Sequence, residues 1–146
     1  MYPKRVDLLV VEENPQDAEM ILKALKKQKL GEYVHVARDG AQALEMLFSP
    51  GTAGSGLLAG LKAIFLALKM PKVNGLEVLR QIKNEARTRS IPVVILTSSL
   101  EDSDVLECYR LGANSFVVKP GEPEDFTRTV GHLGTYWLQM NQTSPG

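Results

Sequence analysis

Residues 8–21 read LLVVEENPQDAEMI, and the architecture can be predicted from this stretch outward. It opens inside an apolar run, residues 6–11, of the kind that forms a strand buried on both faces of a sheet. It closes as the start of an amphipathic helix, because Asn14 can cap the first free amides, Pro15 suits the first helical position and Asp17 favours the positive helix end. A strand followed at once by a helix is therefore the predicted unit.

The same unit recurs along the chain. Apolar runs predict strands at residues 6–11, 33–37, 63–68, 92–96 and 115–118. A first helix follows Asn14 and is closed by Gly31, and further helices are predicted at residues 40–48, 76–85, 102–111 and 123–140. Fivefold alternation of strand and helix predicts an α/β fold with a five-stranded parallel sheet, doubly wound, and five helices. Ligands of such sheets bind at the carboxyl ends of the strands.

Size and charge narrow the possible functions. The 146 residues suit one domain, predicted to span residues 1–146 with a core of about 5–138. Lysine and arginine total 17, as do aspartate and glutamate, so the formal net charge is zero. Nucleic acids and anionic membranes usually call for a basic excess, so neither is an expected partner.

The cysteine content and the termini indicate a location. Cys108 is the single cysteine, which rules out an intrachain disulfide and fits a reducing compartment, and we expect it to be an idle, buried thiol. No signal-peptide core and no apolar stretch near the ~20 residues of a membrane helix are present, so we expect a cytoplasmic protein. The glycine-rich stretch 49–60 predicts a flexible surface loop, and residues 142–146 a flexible tail.

Polar side chains follow several of the predicted strands at the carboxyl edge. Glu12 and Glu13 come after the first strand, Thr97 after the fourth and Lys119 after the fifth. Paired carboxylates suit a hard divalent cation, a hydroxyl can hydrogen-bond a phosphoryl oxygen, and a lysine can hold a phosphate or pair with an acid. Each feature also has an ordinary structural explanation, as a solvated acidic turn or a helix cap. Together they indicate one pocket.

In order and spacing, these residues resemble the receiver domain of two-component response regulators, a flavodoxin-like fold. The resemblance covers residues 5–138 and rests on LLVVEENPQDAEMI, LALKMPKVNGLEVLRQIK, IPVVILTSS and GANSFVVKP. The ending TYWLQMN is similar to the small stand-alone response regulators associated with bacterial and cyanobacterial phytochromes.

The resemblance implies a phosphoryl-acceptor site that lacks its nucleophile. The family's acceptor aspartate stands three residues before a Met-Pro pair, and here that position is Ala67, before Met70 and Pro71. Alanine has neither a nucleophile nor a metal-binding oxygen. The family's Mg²⁺ site falls on Glu12 and Glu13, with the backbone of Lys69, and we expect it to bind Mg²⁺ weakly or not at all.

The remaining family positions are filled. Thr97 and Phe116 match the switch hydroxyl and the switch aromatic, and Lys119 matches the lysine that contacts the phosphoryl group. With Asp–phosphate chemistry blocked, we expect Lys119 to pair with Glu12 or Glu13. Two origins of the alanine stay open: a natural pseudo-receiver that works without phosphorylation, or a substituted form of an active regulator.

The resemblance also implies how the chain acts, which is by binding other proteins rather than as an enzyme. The partner that the resemblance implies is a sensor histidine kinase, such as a bacteriophytochrome, or a downstream protein. A homodimer is predicted through the fourth helix, fifth strand and fifth helix, and this face is extended by Tyr136, Trp137 and Leu138. At least one of these three side chains must face outward, because neighbours on a helix lie ~100° apart. A small enzyme or flavin protein on the same winding is disfavoured, because no glycine-rich phosphate loop follows the first strand.

Overall fold

The computed structural model describes residues 5–49, 57–70 and 72–145, and they contain one five-stranded parallel sheet. The strand order is β2-β1-β3-β4-β5, which confirms the predicted doubly wound α/β fold. The strands are β1 Leu8–Val11, β2 Val34–Ala37, β3 Ala63–Leu66, β4 Val93–Thr97 and β5 Ser115–Val118. Each lies within two residues of the bounds predicted from its apolar run.

Five longer helices connect and follow the strands in the described part of the chain, together with two shorter segments. The helices are α1 Pro15–Lys27, α2 Gly40–Phe48, α3 Leu57–Gly60, α4 Gly75–Asn84, α5 Asp102–Arg110 and α6 Pro123–Thr135, and a π-helical turn, Tyr136–Met140, extends α6. None of the helices in residues 5–49, 57–70 and 72–145 has the length and apolar character needed to cross a bilayer.

Three local predictions need correction or lie outside the described residues. The glycine-rich stretch 49–60 ends in the short helix α3, and its residues 50–56 are not among those described. The first helix ends at Lys27, where Lys29 rather than Gly31 takes the left-handed conformation, with φ 61°. The predicted tail, residues 142–146, has no regular structure up to residue 145, and residue 146 lies outside the described range.

Helix starts follow the predicted capping chemistry where a short polar side chain precedes the helix. Asn14 accepts a hydrogen bond from the amide of Asp17 at 3.0 Å, and Asn74 accepts one from the amide of Glu77 at 3.1 Å. Helix α5 instead follows Glu101, which makes no side-chain cap. Neither Ser99 nor Ser103 is therefore its N-cap residue.

Two apolar clusters hold the helices on opposite faces of the sheet. Helices α2, α4 and α5 contribute to the first cluster, and α1, α6 and the π-helical turn contribute to the second. Cys108 of α5 is fully buried in the first cluster, as predicted. Burial, with the nearby charges of Asp104 and Glu107, raises the pKa of its thiol to about 11, so the thiol is protonated at neutral pH.

A half-buried lysine, not anticipated from the sequence, fixes the start of β5. The Lys83 ammonium donates to the carbonyl oxygens of Arg89 and Ile91 at 3.0 and 2.8 Å and to Oδ1 of Asn114 at 2.9 Å. Asn114 Oδ1 also accepts the amide of Val93, the first residue of β4. Burial lowers the pKa of Lys83 to about 8. This network holds β5, and so the residues at its far end, in register with β4.

The turn after β3 depends on a glycine. Gly75 begins α4 and donates its amide to the carbonyl oxygen of Leu68 at 2.7 Å. A Cβ atom at this position would lie 2.1 Å from the carbonyl oxygen of Ala67 and 2.7 Å from Cα of Leu68. Because both neighbours are backbone atoms, they cannot move aside without displacing the end of β3.

We expect Gly75→Ala to destabilise the fold by about 3 kcal/mol, because the added methyl group overpacks the β3–α4 turn. Gly121→Ala is the matched control, since a Cβ there meets no atom within 4 Å, and its effect should stay within about 0.5 kcal/mol. Urea unfolding of the three proteins measures both values. Equal stability of the two alanine variants would contradict the close approach at Gly75.

Candidate receiver site

The carboxyl ends of β1, β3, β4 and β5 bring the predicted site residues to one edge of the sheet. Residue Ala67 follows β3 and donates its amide to the carbonyl oxygen of Val11 at 3.0 Å, so it lies beside the start of the Glu12–Glu13 turn. The amide of Lys119 donates to the carbonyl oxygen of Thr97 at 2.7 Å. Hydrogen bonds thus place residues 12, 67, 97 and 119 along the β1–β3–β4–β5 edge.

The ammonium group of Lys119 is the centre of the site. Its Nζ donates to Oε1 of Glu12 at 2.7 Å and to Oδ2 of Asp17 at 2.8 Å. The Lys119 side chain is 13% exposed and that of Glu12 is 5% exposed. The predicted pairing of Lys119 with an acid is confirmed for Glu12, and Asp17 is a second partner that was expected to interact only with the helix end.

The first turn of α1 explains why Asp17 is available. In a capping box the third residue of a helix accepts the backbone amide of the N-cap residue. Here the amide of Asn14 donates to Oε2 of Glu12 at 3.1 Å instead, while Asn14 Oδ1 accepts the amide of Asp17. The carboxylate of Asp17 is therefore free to turn towards Lys119.

The charges of this triad favour a protonated lysine. Burial lowers the pKa of the Lys119 ammonium, but the hydrogen bonds and negative charges of Asp17 and Glu12 outweigh burial and leave that pKa above its ordinary value. Lys119 is consequently charged throughout the neutral range. The triad carries two carboxylates and one ammonium, and so keeps a net negative charge.

The two predicted metal-binding glutamates point in different directions. Glu12 is buried, whereas Glu13 is exposed and lines an open cleft of about 490 Å³. Lys69, Asn74 and Asp104 also line that cleft. Consecutive residues of an extended segment point to opposite faces, which separates the two carboxylates.

The side-chain oxygens of Glu12 are already engaged within the chain. One oxygen of Glu12 accepts from Lys119 and the other from the amide of Asn14, while Ala67 supplies no side-chain oxygen. Among the residues that the structure describes, no three histidine, cysteine, aspartate or glutamate side chains converge on a possible metal position. Mg²⁺ in proteins is usually bound through one or two carboxylates and keeps several waters.

The residues predicted as switch positions, Thr97 and Phe116, are buried and half-buried, respectively. Thr97 is 5% exposed, and its Oγ1 accepts the amide of Ser99 at 3.2 Å. The Ser99 hydroxyl donates to Oδ2 of Asp104 at 2.5 Å, which ties the β4–α5 loop to the first turn of α5. Phe116 is half-buried and packs against the first apolar cluster.

Some residues of the predicted interaction face are buried in the core and others are exposed. Tyr136 is 43% exposed, Trp137 is half-buried and Leu138 is buried, which confirms that the three cannot all face inward. Tyr136 and Trp137 meet edge to face at 4.9 Å between ring centroids. Phe126 and Val130 of α6 are buried against the sheet because their i, i+4 spacing puts them on the inner side of the helix.

Comparison with known proteins identifies the class. Residues 8–131 match the model of the response regulator receiver domain, and the chain therefore belongs to that family of two-component signalling proteins. It is 40% identical over 139 residues to the probable methanogenesis regulatory protein FilR2 of Methanothrix harundinacea, covering 95% of this chain and 87% of that protein. It is 31% identical over 132 residues to the response regulator Rcp1 of Synechocystis sp., covering 90% of this chain and 88% of that protein.

Solved structures narrow the likeness to phytochrome-associated regulators. The phosphorylated cyanobacterial phytochrome response regulator RcpA superimposes with a TM-score of 0.85 at 28% identity, over 97% of this chain and 99% of that one. The bacteriophytochrome response regulator RtBRR is 46% identical, with a TM-score of 0.69 over 95% and 84%. The Mn²⁺-bound form of Rcp1 superimposes with a TM-score of 0.84 at 29% identity, over 97% of this chain and 99% of that one.

We expect Lys119→Met to destabilise the fold by about 3 kcal/mol, because it leaves the buried carboxylate of Glu12 without a cation. The control is Lys23→Met, which breaks an exposed pair between Lys23 and Glu19 and should cost less than about 0.5 kcal/mol. Chemical unfolding at pH 7 measures both. A small effect at Lys119 would show that the triad contributes little to stability.

The stability difference between the parent chain and Lys119→Met should depend on pH in a defined way. A lysine whose pKa is raised on folding adds stability that is complete below its ordinary value of 10.5 and is lost as the pH rises through its folded value. The difference in unfolding free energy between the parent and Lys119→Met should therefore be constant from pH 7 to about 9.5 and shrink above 10.5. A difference that shrinks already near pH 8 would contradict this assignment.

Proposed function

We propose that this chain is a receiver whose phosphoacceptor position is Ala67, so that it cannot be phosphorylated there and acts through protein–protein contacts. The observation that carries the proposal is the position of Ala67 at the end of the central strand, hydrogen-bonded to Val11, in a site whose lysine is already paired within the chain. An alanine methyl group cannot accept a phosphoryl group. Signalling by this chain then depends on which surfaces it presents, not on an acyl phosphate.

The proposal holds for either origin of the alanine. A natural pseudo-receiver would present one fixed surface as an interaction module that needs no phosphorylation. A substituted form of an active regulator would present the same surface with its response to phosphorylation removed. Both origins predict the same behaviour for this chain, since Thr97, Phe116 and Lys119 occupy the phosphoryl-contact and switch positions in each.

We further infer that Mg²⁺ binding at Glu12, Glu13 and the Lys69 backbone is weak or absent. Both oxygens of Glu12 are engaged within the chain, Glu13 faces the open cleft, and Ala67 contributes no ligand. The ammonium of Lys119 already supplies one positive charge to the buried carboxylate. A divalent ion would have to displace it.

The expected partner is a sensor histidine kinase, with a bacteriophytochrome as the specific candidate. This follows from the resemblance to RtBRR and RcpA, which are described as bacteriophytochrome and cyanobacterial phytochrome response regulators. A cytoplasmic location and a single receiver domain over residues 1–146 complete the proposal. Neither a nucleic acid nor a membrane is an expected partner, because the formal net charge is zero.

A homodimer is proposed through the C-terminal face, which consists of α5, β5, α6 and the exposed part of Tyr136–Met140. Exposed apolar side chains on this face include Tyr109, Val118, Tyr136 and Met140. Exposed tyrosines are common interface anchors, and a symmetric contact would bury the same patch on both copies. Leu138 is buried in the second apolar cluster and is excluded as an anchor.

The phosphoacceptor assignment is tested by Ala67→Asp. When it is treated with acetyl phosphate and Mg²⁺, the aspartate variant should gain one phosphoryl group. The gain is seen as a mass increase that hydroxylamine reverses. The parent chain should gain none. Adding Lys119→Met to the aspartate variant should slow labelling, because the phosphoryl group loses its cationic contact.

Labelling of the parent chain would contradict the proposal, and so would an Ala67→Asp variant that folds but stays unlabelled. The aspartate variant should also be less stable than the parent, by about 1 kcal/mol, because a further carboxylate joins a site that is already negative. Chemical unfolding without Mg²⁺ measures this difference, and a more stable aspartate variant would argue against a negatively charged site.

The dimer is tested by light scattering at high micromolar concentration. The parent should show a dimer mass and Tyr136→Ser a monomer mass, because the substitution removes an exposed aromatic anchor from the proposed contact. Leu100→Ser is the control: Leu100 is 77% exposed but lies in the β4–α5 loop, outside the C-terminal face, and its loss should leave the dimer intact. A parent chain of monomer mass would rule out the dimer.

A further inference from the structure

Asp17 makes a contact that the assignment of receiver positions does not account for. Its Oδ2 accepts a hydrogen bond from Lys119 Nζ at 2.8 Å, across 102 residues of sequence. The contact joins α1, which lies on one face of the sheet, to the end of β5. Lys119 is the residue at the phosphoryl-contact position, so Asp17 acts on that position through Lys119.

The ordinary role of an acid at this point of a helix is filled by another residue. Asp17 is the third residue of α1, where an acid often accepts the backbone amide of the N-cap residue. Glu12 accepts that amide, from Asn14, through its Oε2. The Asp17 carboxylate is thereby left for Lys119, and only its backbone amide takes part in the cap.

The two partners of Lys119 are not equivalent. Glu12 is 5% exposed, and it belongs to the turn after β1, the strand that pairs with β3. Asp17 is 28% exposed and belongs to α1. A carboxylate that is partly solvated loses less when its lysine leaves than one that is buried, so Asp17 is the partner that Lys119 can give up more easily.

We propose that Asp17 is a positioning residue that holds the Lys119 ammonium on the α1 side and competes with any phosphoryl group on residue 67 for it. The inference rests on the proposed function of residue 67 as the phosphoacceptor position. In a chain with an aspartate there, Asp17 would weaken the phosphorylated state by retaining Lys119. In the parent chain, Asp17 helps to keep Lys119 within the closed triad.

The test uses the Ala67→Asp protein with beryllofluoride and Mg²⁺ as the phosphoryl mimic. Asp17→Asn added to this protein should bind beryllofluoride about five- to tenfold more tightly, since one charged competitor for Lys119 is removed. The same substitution should lower stability in the absence of beryllofluoride. A merely structural role predicts weaker or unchanged binding, so the opposite signs of the two effects identify the positioning role.

Two matched variants accompany the measurement. Glu19→Gln removes one negative charge from the same helix at an exposed side chain that pairs with Lys23, and it should leave beryllofluoride affinity unchanged. Asp17→Glu keeps a carboxylate at this position, so its beryllofluoride affinity should lie within about twofold of that of the Ala67→Asp protein. Circular dichroism establishes that each variant is folded before titration.

Each outcome has one meaning. If Ala67→Asp binds beryllofluoride and Asp17→Asn does not tighten binding, the role of Asp17 is wrong while the proposed function stands. If Glu19→Gln tightens binding as much as Asp17→Asn, net charge rather than the Lys119 contact is responsible, and the role of Asp17 is again wrong. If folded Ala67→Asp binds no beryllofluoride, the proposed function fails and the role of Asp17 fails with it.

Discussion

The ammonium group of Lys119 lies between the carboxylates of Glu12 and Asp17, and this contact joins the end of β5 to the turn after β1 and to the first turn of α1. Glu12 is almost fully buried, and a buried carboxylate is strongly destabilising unless a cation and further hydrogen bonds accompany it. Lys119 supplies the cation and the amide of Asn14 supplies a further bond. The conformation of the whole carboxyl edge therefore depends on a charge that the chain provides itself.

The charge of Lys119 can be considered together with the alanine at position 67 of the same edge. The receiver family to which the chain belongs includes relatives with a phosphorylated and a Mn²⁺-bound form. Here the central strand ends in a methyl group, so the edge has one fewer negative charge for a cation to balance. One lysine can satisfy the buried carboxylate, and the charge that remains on Glu13 is solvated in the open cleft. The hydrogen bonds of Lys119 to Glu12 and Asp17 thus hold this edge together from within the chain.

The sequence allowed the fold and most of the edge to be predicted, for reasons that particular residues make clear. Apolar runs such as Leu8–Val11 have few alternatives to buried strands, and Asn14 and Asn74 carry the chemistry of helix caps. Asp17 was missed because its direction depends on Glu12 taking over the amide of Asn14, a competition that spacing does not reveal. Lys83 was missed because a lysine late in an amphipathic helix usually faces water, and its contacts depend on how the turn after the helix and the distant Asn114 fold back over it.

If Mg²⁺ binding is as weak as we propose, Lys119 rather than a divalent ion neutralises the buried carboxylate of Glu12 at this edge. Thermal unfolding of the unmodified chain over a range of Mg²⁺ concentrations, at constant ionic strength, tests it most directly, because an ion that binds only the folded state raises the Tm in a saturable way. We expect the Tm to stay unchanged from zero to about 10 mM Mg²⁺. A saturable rise that is abolished by Glu12→Gln would contradict it.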